Sequence, residues 1–271
     1  MAIKSMSGRQ LLATAVIALA ASANAEAGLL YSILESNNHL VSINTNTLAI
    51  TDIGATGVGG DFGGLGYNAN TDTLFWIPGR GNNNLYTLNR TTGAATLVGA
   101  HGINDLFGLE YDPSTNKLFA SQFSGGSGLY SLNMATGAAT TINPSMAHGI
   151  GGLAYDSKRD QLLGIEDGAG DIFDVNRATG ALTLVFNGPF QNDSGLAYDQ
   201  DKDLLWDIDF SGNLFKYDPN AGYARTTVLS GLGSHDGLAY VADKANAPLP
   251  GTLALLGLGF LGLGFSRRKK A

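Results

Sequence analysis

Gly152-Leu153-Ala154-Tyr155 is the phrase that decides the fold, because the chain repeats it. It returns as Gly64-Leu65-Gly66-Tyr67, Gly108-Leu109-Glu110-Tyr111, Gly195-Leu196-Ala197-Tyr198 and Gly237-Leu238-Ala239-Tyr240. Successive leucines are 44, 44, 43 and 42 residues apart. A second phrase keeps the same beat: Leu40-Val41-Ser42-Ile43-Asn44, Leu85-Tyr86-Thr87-Leu88-Asn89, Leu129-Tyr130-Ser131-Leu132-Asn133, Ile172-Phe173-Asp174-Val175-Asn176 and Leu214-Phe215-Lys216-Tyr217-Asp218. Its steps are 45, 44, 43 and 42. Two phrases sharing one period near 43 match a four-stranded propeller blade.

Each unit reads as four short strands, A to D. The Gly-Leu-small-Tyr phrase is strand A, where small residues suit a crowded innermost position. Strand B follows a polar turn such as Asp112-Pro113-Ser114-Thr115-Asn116 and begins Lys117-Leu118-Phe119-Ala120. Strand C is the second phrase, with two-residue alternation. Thr-Gly turns at Thr92-Gly93, Thr136-Gly137 and Thr179-Gly180 lead into strand D, the glycine supplying positive φ. The chain enters on a B strand at Leu29-Leu30-Tyr31-Ser32 and leaves on a lone A strand at Gly237–Tyr240. The expected fold is therefore all-β: a five-bladed propeller closed by its last A strand joining the first B, C and D strands, so that no sheet edge is left open there. The middle of the chain resembles bacterial exported β-propellers with Leu-Tyr-x-Leu-Asn and Thr-Gly-x-x-Thr repeats, a likeness that implies fold more than activity.

The two ends read as addresses. Lys4 and Arg9 precede an apolar stretch from Leu11 to Ala21, and Ala23-Asn24-Ala25 follows. This is the layout of a secretory signal peptide over residues 1–25, cleaved after Ala25. At the other end Pro248-Leu249-Pro250 precedes an apolar run from Gly251 to Phe265 and the basic cluster Arg267-Arg268-Lys269-Lys270. As a helix that run would reach about 22 Å against a bilayer core of about 30 Å. The basic end would stay cytoplasmic, leaving the propeller across the membrane.

This tail resembles the PEP-CTERM sorting signal of Gram-negative bacteria. Pro248 and Pro250 match the prolines of its motif, Arg267 and Arg268 its basic end, and Leu249 departs from the usual Glu. The resemblance implies a membrane-embedded exosortase as processing partner, after passage through the export translocon. It further implies an inner-membrane anchor through the C-terminal helix, with the propeller in the periplasm before processing. The outer envelope, cell surface or extracellular matrix is then the destination. The expected organisation is a signal peptide at 1–25, a propeller at 26–245 and a sorting segment at 246–271.

Composition narrows the chemistry. The chain has 271 residues, 38 glycines and no cysteine. That removes disulfides, thiolate metal sites and cysteine nucleophiles together. Its formal charge is −7; six of the 16 basic residues and none of the 23 acidic ones lie in the two ends, which leaves the middle at −13. Charge-driven nucleic-acid binding is excluded.

In a propeller the D-to-A and B-to-C connections open on one face around the central channel. One polar residue stands just before each A strand: Asp61, Asp105, His148, Asp193 and Asp236, with His235 beside the last. Such a ring would suit a hard cation such as calcium; the competing explanation is that each Asp caps the turn entering its strand. The B-to-C connections add Glu35, Arg80, Gln122, Glu166, Asp167 and Asp209. Glu110 is singular, because the other four A strands carry Gly or Ala in its column. Asp199-Gln200-Asp201-Lys202-Asp203 lacks the Gly and Glu of a calcium-binding EF-hand, and Gly57–Gly60 lacks the Lys-Ser/Thr of a phosphate-binding loop. No catalytic constellation emerges, and no cofactor is expected beyond calcium at the Asp ring. The functional expectation is a non-catalytic binding or scaffold protein, with exopolysaccharide and biofilm association implied by the tail's resemblance. The alternative is a lactonase-like hydrolase or lyase using a channel cation.

Overall fold

The computed structural model describes residues 28–123, 127–190 and 192–242; the signal-peptide and sorting-segment expectations lie outside them. Within them the chain forms twenty strands in five four-stranded antiparallel sheets. Blade 1 comprises β1 (Leu29–Leu34), β2 (His39–Asn44), β3 (Ile50–Ala55) and the last strand, β20 (His235–Val241). Blade 2 holds β4 (Gly64–Asn68) to β7 (Ala95–Ala100), and blade 3 holds β8 (Leu106–Asp112) to β11 (Ala139–Asn143). Blade 4 holds β12 (Ile150–Asp156) to β15 (Leu182–Phe186), and blade 5 holds β16 (Asp193–Asp199) to β19 (Ala224–Leu229). The only helix among the described residues is a single 3-10 turn at Pro219–Ala221.

Closure takes the expected form. Leu30 pairs with Tyr240 and Tyr31 with Ala239, and the register shifts between Tyr31 and Ile33. At that irregularity the fully buried Ser32 donates its hydroxyl to the Gly237 carbonyl at 2.8 Å, and His235 Nδ1 lies 3.2 Å from the same hydroxyl oxygen. Innermost strands lie side by side around the ring, β4 by β8, β8 by β12, β12 by β16, β16 by β20 and β20 by β4.

Burial follows distance from the axis. All seven residues of β12 are buried, whereas the outermost strands β3, β7, β11 and β15 contain no fully buried residue. The core divides into five apolar clusters, one at each blade junction; Leu65, Leu74 and Trp76 of blade 2, for example, pack against Ile33, Leu40 and Val241 of blade 1. The first glycine of each repeated phrase faces the next blade's inner strand. A Cβ on Gly195 would stand 2.4 Å from the Gly237 carbonyl carbon, and one on Gly237 would stand 2.6 Å from Leu65 N. These glycines form a waist that leaves no room for a water molecule between the inner strands. The channel is therefore two separate mouths rather than a pore.

The second phrase ends in a turn-making side chain. Asn44, Asn89, Asn133, Asn176 and Asp218 each accept a hydrogen bond from the backbone N–H two residues on, at 2.8–3.0 Å. This is how Asn and Asp stabilise turns.

Candidate functional site

Among the described residues, the side chains expected at the mouth formed by the D–A and B–C connections do not gather into a metal-sized cluster. Asp61 is exposed and held by its backbone, its N–H donating to the Pro78 carbonyl at 2.8 Å. Asp105 is half-buried in a left-handed turn at φ 56°. His148 turns to its own blade, with Nδ1 3.0 Å from Glu166 Oε1 and its ring stacked 4.6 Å from Phe173. Asp193 pairs with Asp209 in strand register, and its side chain lies outside the described part of the molecule. Gln122 joins the Asn104 carbonyl to the Tyr130 hydroxyl. Asp209 caps Asn213 N at 2.7 Å, and Asp167 N donates to the Gly149 carbonyl. Among the described residues, no three His, Asp or Glu side chains gather closely enough to share a metal ion.

Aromatic rings cover this mouth instead. Phe210, Phe62, Phe107 and Phe123 stack in a row with centroid separations of 4.5, 5.5 and 5.3 Å, and the Arg80 guanidinium lies 4.2 Å above Phe62. Phe62 holds φ 62°, an uncommon conformation for a bulky residue. Its N–H is anchored by two carboxyls, Asp236 Oδ1 at 2.9 Å and Glu35 Oε1 at 3.3 Å. Asp236 is fully buried, and burial first, then the Glu35 carboxyl, pushes its pKa well above the usual carboxylate range. His235, also buried, is pushed down by desolvation.

A raised carboxyl pKa means the folded state holds a proton that the unfolded state releases above its ordinary pKa near 4. Asp236 therefore favours folding at acid pH and loses that contribution as pH rises from about 4 toward its elevated folded value. Asp236→Asn keeps the acceptor for Phe62 N and removes the ionisable group. It should be about 1 kcal/mol more stable than the parent at pH 7 and converge with it below pH 4, measured by urea denaturation across pH.

The opposite mouth, framed by the A–B and C–D turns, holds a cavity of about 280 Å³. The last residue of every repeated phrase lines it: Tyr67, Tyr111, Tyr155, Tyr198 and Tyr240. Their hydroxyls are turned away into the turns. Tyr67 donates to Asp72 at 2.5 Å, Tyr111 to Asn116 at 2.8 Å, Tyr155 to Asp160 at 2.8 Å and Tyr198 to Asp203 at 2.7 Å. All four acceptors hold left-handed backbone, φ 53–56°. Tyr240 donates to Asp201 of the blade 5 turn at 2.6 Å. Burial raises the phenols of Tyr67 (to about 12), Tyr155, Tyr198 and Tyr240, so they stay neutral.

Glu110 opens into this cavity. It sits near the end of β8, beyond the glycine waist, and its Oε1 accepts from Tyr155 N at 3.2 Å. Burial holds its carboxyl well above the ordinary range.

Polar brackets between blades hold the turns around the cavity. Arg177 pairs with Asp112 and Asp160, both at 2.9 Å; Arg159 pairs with Asp156 at 2.7 Å and Asp203 at 2.8 Å. Lys202 donates to the Thr45 carbonyl at 2.7 Å, and Asn70 Nδ2 donates to the Tyr111 hydroxyl at 3.0 Å. Arg90 pairs with Asp72 and lies over the Tyr67 and Tyr31 rings. The five-fold tyrosine was the missed signal: a polar-tipped aromatic in constant phase on the innermost strand lines whatever space that strand encloses.

The chain enters and leaves on this side. Leu29 pairs with Val241 at the end of the closing strand, and Ala242 lines the cavity. Residues 246–269 match the PEP-CTERM protein-sorting motif, so only residues 243–245 separate the cavity rim from the sorting tail. The motif implies an exported protein that is membrane-anchored, processed by an exosortase and then sorted to the surface. Among the described residues no helix is long and apolar enough to cross a membrane.

No curated protein matches the chain in sequence. In fold it is similar to a chain of a nidogen/laminin complex, with TM-score 0.56 and 14% identity over 78% of this chain and 80% of that one. It is also similar to a Bacteroides thetaiotaomicron protein of unknown function, with TM-score 0.58 and 14% identity over 81% of this chain and 65% of that one. At such identities the likeness shows the fold alone.

Proposed function

We propose that this exported propeller is a non-catalytic binding module of the extracellular matrix, and that the tyrosine-lined cavity is where it binds. The cavity carries the reading: it joins aromatic walls, one carboxyl and rigid inter-blade support, the make-up of a small-molecule recess. The sorting tail supports delivery to the cell surface, with Pro248-Leu249-Pro250 as the segment presented to the exosortase. Prolines at these positions suit a segment read in extended form by a processing enzyme. The partner class that suits this destination is exopolysaccharide of a biofilm matrix.

Ala69 is exposed at the cavity rim, so Ala69→Trp can fill the entrance without disturbing the core. The mature protein should be retained by extracellular matrix isolated from the producing bacterium. Retention should fall about tenfold or more in Ala69→Trp, at an unchanged melting temperature. Equal retention of both proteins would refute the cavity as the binding site.

A further inference from the structure

We infer that the tyrosine cavity is a cage for an organic ammonium group, with Glu110 as its counter-ion. The inference rests on the binding-module reading and names what that module recognises.

Three features of the cavity select the ligand. First, the five phenol hydroxyls are spent on the turns, so the tyrosines offer ring surface rather than hydrogen bonds. Apart from Glu110 and the tyrosines, the polar side chains of the lining are Ser157 and Gln200, both exposed, so a neutral sugar whose hydroxyls need partners on several sides would leave many unsatisfied. Ring surface attracts cations through its quadrupole, and aromatic cages are the usual means of holding alkylated ammonium. Second, the lining contains one carboxyl and no Lys, Arg or His. The charged groups near Glu110 do not neutralise it: Asp112, on its own strand, repels it electrostatically, and Arg177 is taken by Asp112 and Asp160. The neighbouring inner strands β4 and β12 contribute only the neutral phenols of Tyr67 and Tyr155 to the lining, and β16 and β20 likewise only Tyr198 and Tyr240. Third, Glu110 stands in a column where the other blades carry Gly66, Ala154, Ala197 and Ala239, so packing does not require a carboxyl there.

Buried as it is, Glu110 holds a proton more readily than an ordinary glutamate. An ammonium ligand entering as the cation displaces that proton to solvent and leaves an ammonium–carboxylate pair. No covalent bond between heavy atoms changes. For a quaternary ammonium, whose charge does not depend on pH, affinity should therefore rise with pH as the carboxyl ionises, and binding should release a proton.

Two sources could present such a group: a quaternary ammonium, or the free amine of an amino sugar in a matrix polysaccharide. Calorimetric titration of the full-length protein with choline, glucosamine and glucose distinguishes them. Choline alone binding assigns the quaternary source, and glucosamine binding assigns the amino sugar; both support the cage if glucose is silent. The supported outcome includes proton release between buffers of different ionisation enthalpy, choline binding that tightens with pH, and a loss of about tenfold or more in Glu110→Gln. Glu110→Ala, which restores the residue type of three other blades, checks the same loss in a variant whose folding is already represented in the ring. Glucose binding with both cations silent would overturn the ammonium assignment while leaving the binding module standing. Cation binding unchanged in both Glu110 variants would overturn the counter-ion. Silence of all three probes overturns the ammonium cage, and matrix retention sensitive to Ala69→Trp would then show that the binding module itself survives.

Discussion

Gly195→Ala is expected to destabilise the protein by at least about 3 kcal/mol, and to populate unfolded or aggregated chains at 37 °C. Overpacking a core with one methyl commonly costs about 1–3 kcal/mol, because side chains can shift to absorb it. Here the obstruction is backbone. The new Cβ would lie 2.4 Å from both the Gly237 carbonyl carbon and Leu238 N, atoms of the strand that closes the ring. Blade 5 and blade 1 cannot separate locally, since each is also packed against its other neighbour. The strain must spread round all five blades or open the closure. Gly59→Ala is the control: a methyl added at Gly59 would meet nothing within 4 Å, so it should change stability by less than about 0.5 kcal/mol. Denaturant midpoints read both, and a Gly195→Ala protein as stable as its parent would refute the closed waist.

The second large effect is a gain. Leu29 and Val241 are cross-strand partners between the first and last strands, and the chain contains no other cysteine to compete. A Leu29→Cys/Val241→Cys double variant should oxidise to a disulfide that closes a loop of roughly 210 residues. On the loop-entropy scale such a bond stabilises by about 5 kcal/mol. For a domain of this size that corresponds to a melting temperature about 10–20 °C higher when oxidised than when reduced. Calorimetry with and without reductant reads the difference.

Much of this architecture was legible in the sequence, and the reason is periodicity. Two phrases on one beat define blade number, strand order and closure, because each phrase has to occupy an equivalent place in every blade. The Asn at the end of the second phrase, for example, makes the same turn bond in each copy, with Asp218 standing in for it in blade 5. The mouths were harder to read because their content depends on distances across the ring. Phe62 and Phe210 occur once each, in loops, and nothing in the repeat announces that they stack 4.5 Å apart. Glu35 and Asp236 meet on one amide although about 200 residues separate them. The polar residues entering each inner strand were visible as a series, yet among the described side chains no three gather as a metal site, and buried Asp236 meets half-buried Glu35 on the Phe62 amide. Glu110 stood out by breaking its column, but which mouth it faces follows from the glycine waist, and that is a property of five strands packed together.

The closed ring is the premise on which both mouths depend, and the double-cysteine variant tests it most directly. Peptide mapping of the oxidised, non-reduced protein by mass spectrometry should recover one species joining the peptide that contains position 29 to the peptide that contains position 241, in monomeric protein. Free thiols at both positions, or linkage only between two chains, would contradict the pairing of β1 with β20 and with it the five-bladed closure.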